Sequence, residues 1–270
     1  MLKNRILTAS VLLPLAIWGI LQLPTILFSI ISGILFTIGA FEWARLSGQK
    51  NIYTRCMYTL FIVQMGILGL RKITLSHQEI IFGLTLFFWL FFILGVILYP
   101  KGKKIWQNNF IGYTAGLIVL VPSYLALNWL RVLYSPLWVL LLMALIWTAD
   151  SSAYFAGKRF GKHKLMVEVS PGKTYEGAAG ALLSTILLSV LAYYYLDFVR
   201  AYPLSKVILL NLLTVGVSIF GDLFESLYKR LANVKDSGAI FPGHGGVLDR
   251  IDSLTVALPF YIFGLNFLNS

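Results

Sequence analysis

The sequence predicts an all-α, polytopic integral membrane protein with about nine transmembrane helices. Three observations carry that prediction. The chain is 58% hydrophobic and only 12% charged, against roughly 25% charged residues in a soluble domain. Its apolar residues come in long unbroken runs, where a soluble core would interrupt them with polar faces. The runs do not alternate as barrel strands would, which leaves helices as the structure that satisfies every backbone group in lipid.

A span needs about 20 apolar residues. The first candidate, 6–22, follows Lys3 and Arg5 and has the outline of a signal peptide. Apolar sequence continues to Phe41, and no small-x-small cleavage site follows the first run, so a retained helix is expected. The second, 25–44, is separated from it only by Gln22, Leu23 and Pro24, which predicts a tight hairpin. The third and fourth lie at 54–70 and 79–99. The fifth, 110–130, contains Pro122, which predicts a kink. The last four lie at 136–156, 175–198, 204–228 and 253–268. There is no internal repeat, low-complexity tract or soluble insert. The longest polar stretches are 157–173 and 229–252. The chain therefore divides into residues 1–132, which hold spans one to five, and residues 133–270, which hold spans six to nine with both polar loops.

The formal net charge is +11. In a membrane protein this reads as loop bias, and no nucleic-acid partner is expected. With the N-terminus on one side, that side holds 17 of the 22 basic residues; Arg71, Lys72, Arg131, Arg200 and Lys206 fall on the other. The expected orientation is N-terminus cytoplasmic, with both long polar loops on the cytoplasmic side. Cys56 is the only cysteine, so no intrachain disulfide forms and no cysteine metal site is suggested.

Acidic residues are scarce, eleven in all, yet Asp150, Asp222 and Glu225 lie inside apolar helices. An ionisable group there is costly and marks a functional hypothesis, the plainer reading being an ion pair that holds helices together. Asp150 precedes Lys158 by eight residues and Asp222 precedes Lys229 by seven. At about 1.5 Å per residue, both carboxylates would sit about 10–12 Å below the cytoplasmic basic residues. Asp249 and Asp252 are three apart and would share a helix face. With Asp222 they could hold a hard cation such as Mg²⁺, or simply cap the last helix. Gly243, His244, Gly245 and Gly246 precede them. Glycines let backbone N–H groups approach a phosphate, although such a loop is also an ordinary turn. Lys229, Arg230, Lys235 and Arg250 flank the loop and could neutralise a polyphosphate. In the other loop, Ser170-Pro171 predicts a helix start. The run Gly172-Lys173-Thr174 is not a P-loop, because Val167 stands where that motif needs glycine. Lys173 is read as a phosphate-binding lysine, or else an interfacial one.

Residues 226–252 closely resemble the phosphatidate cytidylyltransferase (CDP-diacylglycerol synthase) pattern. The match lies in Ser226, Lys229-Arg230, Lys235-Asp236, Pro242, His244-Gly245-Gly246, Asp249-Arg250 and Asp252. The stretch 150–177 is similar to the family's second conserved stretch in Asp150, Ala153-Tyr154, Gly157-Lys158, Gly161-Lys162, Ser170-Pro171, Lys173-Thr174 and Glu176-Gly177. Tyr228, Ser151-Ser152 and Tyr175 depart from the pattern, at positions that bear on packing more than on chemistry. Residues 1–149 match only in being helical spans.

The resemblance implies a nucleotidyltransferase of phospholipid biosynthesis that converts CTP and phosphatidic acid to CDP-diacylglycerol and pyrophosphate. It places the protein in the inner (cytoplasmic) membrane, with its active site facing the cytoplasm, and implies a homodimer. On this reading Asp222 and Asp249 ligate Mg²⁺ with help from Asp252 and Asp150, and a second ion of unspecified identity would suit the chemistry. Lys173, Lys229, Arg230, Lys235 and Arg250 would hold the triphosphate and the lipid phosphate. Ser226, Asp236, Gly243, His244, Gly245 and Gly246 would complete the substrate site. Two other function classes remain open from sequence: a CTP-dependent polyprenol or lipid kinase, and a cation-coupled transporter. A CDP-alcohol phosphotransferase lacks support, since its aspartate-dense motif is missing.

Overall fold

The computed structural model describes residues 2–72, 75–241, 243 and 245–268, with 2–9, 75 and 76 described as backbone only. Four long helices come first: α1 (Leu2–Gln22), α2 (Thr25–Leu46), α3 (Ile52–Lys72) and α4 (Leu75–Ile97). A short α5 (Lys103–Trp106) leads into α6 (Asn109–Trp129), which passes through Pro122 without a break and ends in a π-helical turn, Leu130–Tyr134. Then follow α7 (Pro136–Phe160), the strands β1 (Lys164–Met166) and β2 (Ser170–Thr174), α8 (Tyr175–Tyr195), α9 (Asp197–Arg200) and α10 (Leu204–Leu231). The chain closes with α11 (Leu248–Ile251) and α12 (Leu254–Leu268).

Among the described residues eight helical segments are long and apolar enough to cross a membrane, and the described part of α1, Ser10–Gln22, is a shorter apolar helix. All nine expected spans coincide with helices. Side chains such as Ile26, Phe87, Leu90 and Leu187 are exposed, as lipid-facing positions are in a bundle whose backbone is satisfied internally.

One local expectation is corrected. Ser170-Pro171 does not start a helix: it begins β2, which pairs antiparallel with β1. The N-cap of α8 is Thr174, whose Oγ1 accepts from Gly177 N at 3.1 Å. Proline tolerates an edge strand as readily as a first helical turn, so the dipeptide alone could not decide. Arg131 is buried, donates to Ile20 O at 3.1 Å and to Leu23 O, and so satisfies carbonyls at the C-terminal end of α1.

The core feature that positions the site is an aromatic cluster. Trp43 of α2, Trp89 and Phe92 of α4, Trp106 of α5, and Phe224 and Tyr228 of α10 pack together. Phe92 stacks on Phe224 at 4.6 Å, and Tyr228 lies 4.7 Å from Trp43. Tyr228, the departure from the family pattern, is therefore a packing residue. With Phe224 and Tyr228 turned into this cluster, helical periodicity turns Asp222, Glu225, Ser226 and Lys229 to another face. On the far side of α10, α7 and α8 cross closely: a side chain at Gly177 would meet Ala153 O, and one at Gly180 would meet Ala156.

Candidate active site

The described residues singled out from the sequence gather at one end of the bundle, where α2, α7 and α10 end and α8 and α12 begin. They fall into an accessible group and a sealed one. In the accessible group, Lys173 Nζ of β2 lies 2.8 Å from Asp222 Oδ2 and donates to Ile219 O at 3.1 Å. Ser226 Oγ donates to Asp222 Oδ1 at 3.1 Å. Asp222, Lys173 and Asp252 are half-buried, while Asp150 and Arg250 are exposed. Asp150 interacts electrostatically with Asp222, Lys173 and Arg250, and Asp252 interacts with Asp222 and Asp150. Three carboxyl groups, from α7, α10 and the segment just before α12, thus lie within electrostatic reach of one lysine and one arginine, at positions solvent reaches.

The sealed group lies beside it. Lys229 is only 8% exposed, and its Nζ stands 2.8 Å from Asp249 Oδ1 and 3.2 Å from Glu225 Oε1. Asp249 Oδ2 accepts from Ser237 N, Ser237 Oγ and Gly246 N, at 2.8, 2.9 and 2.8 Å. Glu42 of α2 closes the group: it accepts from Ser237 Oγ at 2.9 Å, Val247 N at 3.2 Å and Leu248 N at 2.8 Å. Arg45 Nη2 donates to the carbonyls of Asp236 and Ser237. The turn between these anchors is closed by paired hydrogen bonds between Phe241 and Gly245, 2.9 and 3.1 Å. Gly243 (φ 77°) and Gly245 (φ 82°) adopt the left-handed conformation that side chains resist.

This geometry redistributes the expected roles. Asp150, Lys173, Asp222, Arg250 and Asp252 do come together. Arg230 and Lys235 are exposed near them, Arg230 Nε bonding Val169 O at 3.0 Å, and Asp236 is exposed. Lys229 is not presented to a ligand, because it is spent inside the protein on Asp249 and Glu225. The backbone amides of 245–248 are not a ready phosphate cradle: Gly245 N bonds Phe241 O, Gly246 N bonds Asp249, and Val247 N and Leu248 N bond Glu42. Those glycines serve the turn. His244, like Pro242, lies outside the described residues. Asp252 Oδ1 accepts from Ser253 N at 2.7 Å, a local cap at the start of α12 that leaves Oδ2 for other partners.

Glu42, Arg45 and Ser237 are the residues the sequence reading missed. Glu42 was within reach, being one of eleven acids and at the end of an apolar run, where it passes for an interfacial charge. The first 149 residues are therefore more than helical spans.

Whether these residues suit a hard cation can be asked of the side chains themselves. Among the described residues no three acidic, His or Cys groups converge on one point as they stand; Lys173 and Lys229 occupy the approaches to Asp222 and Asp249. The donor set nonetheless fits. Buried Glu225 is paired with Lys229 Nζ at 3.2 Å from Oε1, but neither of its oxygens accepts a well-aligned hydrogen bond, and Asp222, Asp249 and Asp252 are its charged neighbours. Asp249 Oδ1 accepts from Lys229 Nζ and keeps a lone pair.

The sequence model of the cytidylyltransferase family matches residues 3–268. A phosphatidate cytidylyltransferase of Pseudomonas aeruginosa is 38% identical over 268 residues, covering 97% of this chain and 96% of the relative. Those of Haemophilus influenzae and Bacillus subtilis are 34% and 33% identical, covering 97% of this chain and 98% and 97% of the relatives. With the family match running almost from end to end, this chain belongs to the cytidylyltransferase family.

Proposed function

We propose that this chain is a phosphatidate cytidylyltransferase, acting on CTP and phosphatidic acid to give CDP-diacylglycerol and pyrophosphate. The observation that carries the reading is the accessible cluster of Asp150, Asp222, Asp252, Lys173 and Arg250 at a charged end of an otherwise apolar bundle. There a water-soluble polyphosphate and a membrane lipid can meet. The relatives' names favour this over the lipid-kinase and transporter alternatives.

The chemistry joins two anions. An oxygen of the lipid phosphate attacks the α-phosphorus of CTP, and the bond from that phosphorus to the β-phosphate bridging oxygen breaks. Pyrophosphate takes the electron pair and leaves. The nucleophile is already anionic near neutral pH, so no protein base has to remove a proton. The protein's task is to neutralise charge and hold the two phosphates in line. Lys173 and Arg250 face the opening, and Arg230 and Lys235 extend the basic surface beside it. Mg²⁺, held by Asp222 and Asp252 with Asp249 Oδ1 and Asp150 in support, would stabilise charge developing on the phosphoryl oxygens. The charged end faces the cytoplasm on this reading, where CTP is drawn from solution and the lipid enters from the adjacent leaflet. The mass of the lipid product tests the reaction. Incubation with phosphatidic acid and CTP should yield a lipid heavier by a cytidylyl group; one heavier by a single phosphate would make the protein a kinase.

A further inference from the structure

Glu42 sits in α2, far in sequence from every residue of the charged loops, and is 4% exposed. Three donors converge on its carboxylate: Ser237 Oγ, Val247 N and Leu248 N. Among the described residues no lysine or arginine pairs with it. Its charge is met by the loop alone. The loop in turn is shaped to the carboxylate: a side chain at either Gly238 or Gly246 would collide with Glu42 Oε1. One turn further along α2, Arg45 takes the two carbonyls of Asp236 and Ser237. Helix α2 therefore grips the loop by its donors and its acceptors at once.

Ser237 extends the grip to the reacting end. Its Oγ lies 2.9 Å from Glu42 Oε2 and 2.9 Å from Asp249 Oδ2. A hydroxyl has one proton, so it can serve one carboxylate at a time. Asp249 carries the connection on to Lys229 at 2.8 Å. A buried chain of Glu42, Ser237, Asp249 and Lys229 thus ties α2 to α10, across the loop that holds Arg250 beside Asp150.

We propose that Glu42 is a positioning residue of the reaction: by holding residues 237–249, it sets the place of Arg250 and Asp249 and thereby the affinity for the nucleotide. The proposal rests on the cytidylyl-transfer reading. It assigns to α2, outside both motif-bearing stretches, a specific part in binding one of the two substrates.

The test compares Glu42→Gln with wild type and with Ser29→Ala. Ser29 lies several turns earlier on the same helix, where its Oγ bonds Asn128 at 2.5 Å. Glutamine keeps the shape but puts an N–H₂ group where an N–H or O–H now donates. The expected result is a KM for CTP raised roughly tenfold, with the KM for phosphatidic acid within about twofold of wild type. Amide hydrogen exchange at Val247 and Leu248 should quicken by about tenfold. Ser29→Ala should leave all three readouts unchanged. Arg45→Met, which removes only the carbonyl contacts, should shift the KM for CTP in the same direction and serves if the glutamine variant does not fold. Unchanged exchange at Val247 and Leu248, or equal changes in both KM values, would overturn the proposal. Absence of any transfer by wild type would instead refute the functional reading, and the exchange rates would still decide whether Glu42 holds the loop.

Discussion

Lys229 Nζ and Asp249 Oδ1 lie 2.8 Å apart in a pocket of the protein that is almost closed to solvent, whereas Lys173 and Asp222, at the same separation, remain partly open. Two lysine–aspartate pairs at one end of one bundle therefore do different work. The first holds helix α10 to the loop; the second stays within reach of solvent beside Asp150 and Asp252.

Removing Lys229 should be a folding defect before it is a catalytic one. Lys229→Met leaves Asp249 and Glu225 without their cation in a buried setting, which costs about 3–5 kcal/mol. The expected outcome is a markedly lower thermal unfolding midpoint in detergent, together with lost activity. A variant with wild-type stability and only a raised KM for CTP would show that Lys229 reaches the substrate.

Asp222→Asn should do the reverse. A partly open ion pair contributes about 0–1 kcal/mol to stability, so the unfolding midpoint should stay near wild type. Turnover should fall about 10²–10³-fold, the scale for losing one preorganised electrostatic group. The Mg²⁺ concentration needed for half-maximal rate should also rise. Full activity in a folded Asp222→Asn would remove this carboxylate from the site. Asp249→Asn is a poorer probe of metal binding than its motif position suggests, because its Oδ2 also anchors Ser237 and Gly246.

Gly245→Ala tests the turn. At φ 82° a side chain costs about 1–2 kcal/mol, and the new Cβ would also press on the Asp249 carboxylate. Both stability and turnover should drop. Gly172→Ala, with nothing within 4 Å of a new Cβ, is the stability control and should unfold at the wild-type temperature.

Orientation is open to labelling. In a Cys56→Ser background, Lys50→Cys and Ala201→Cys place single thiols at exposed positions between α2 and α3 and between α9 and α10. A membrane-impermeant maleimide should label Lys50→Cys in inverted vesicles and Ala201→Cys in right-side-out ones. The opposite pattern would reverse the proposed topology.

The spans were legible because lipid leaves a helix few alternatives: each apolar run became a helix, with edges shifted by a few residues. The accessible carboxylates were legible for a related reason, since Asp150 and Asp222 stand out where hydrocarbon surrounds them. The contact between Glu42 and Leu248 was not, because it joins positions 206 apart, and one sequence carries no signal of such a pairing. The loop misled for a local reason. Glycines that bring amides close to a phosphate bring them as well to a carboxylate, and here Glu42 and Asp249 take them. Lys229 and Arg230 are adjacent and read alike, but a turn of 100° per residue sends one inward and the other out.

The most direct test of the account is transfer of label from α-labelled CTP into lipid by the purified protein, with phosphatidic acid and Mg²⁺, and with EDTA in a parallel sample. Label should appear in the organic phase, dependent on phosphatidic acid and abolished by EDTA. Folded protein that moves no α-label under these conditions would contradict it.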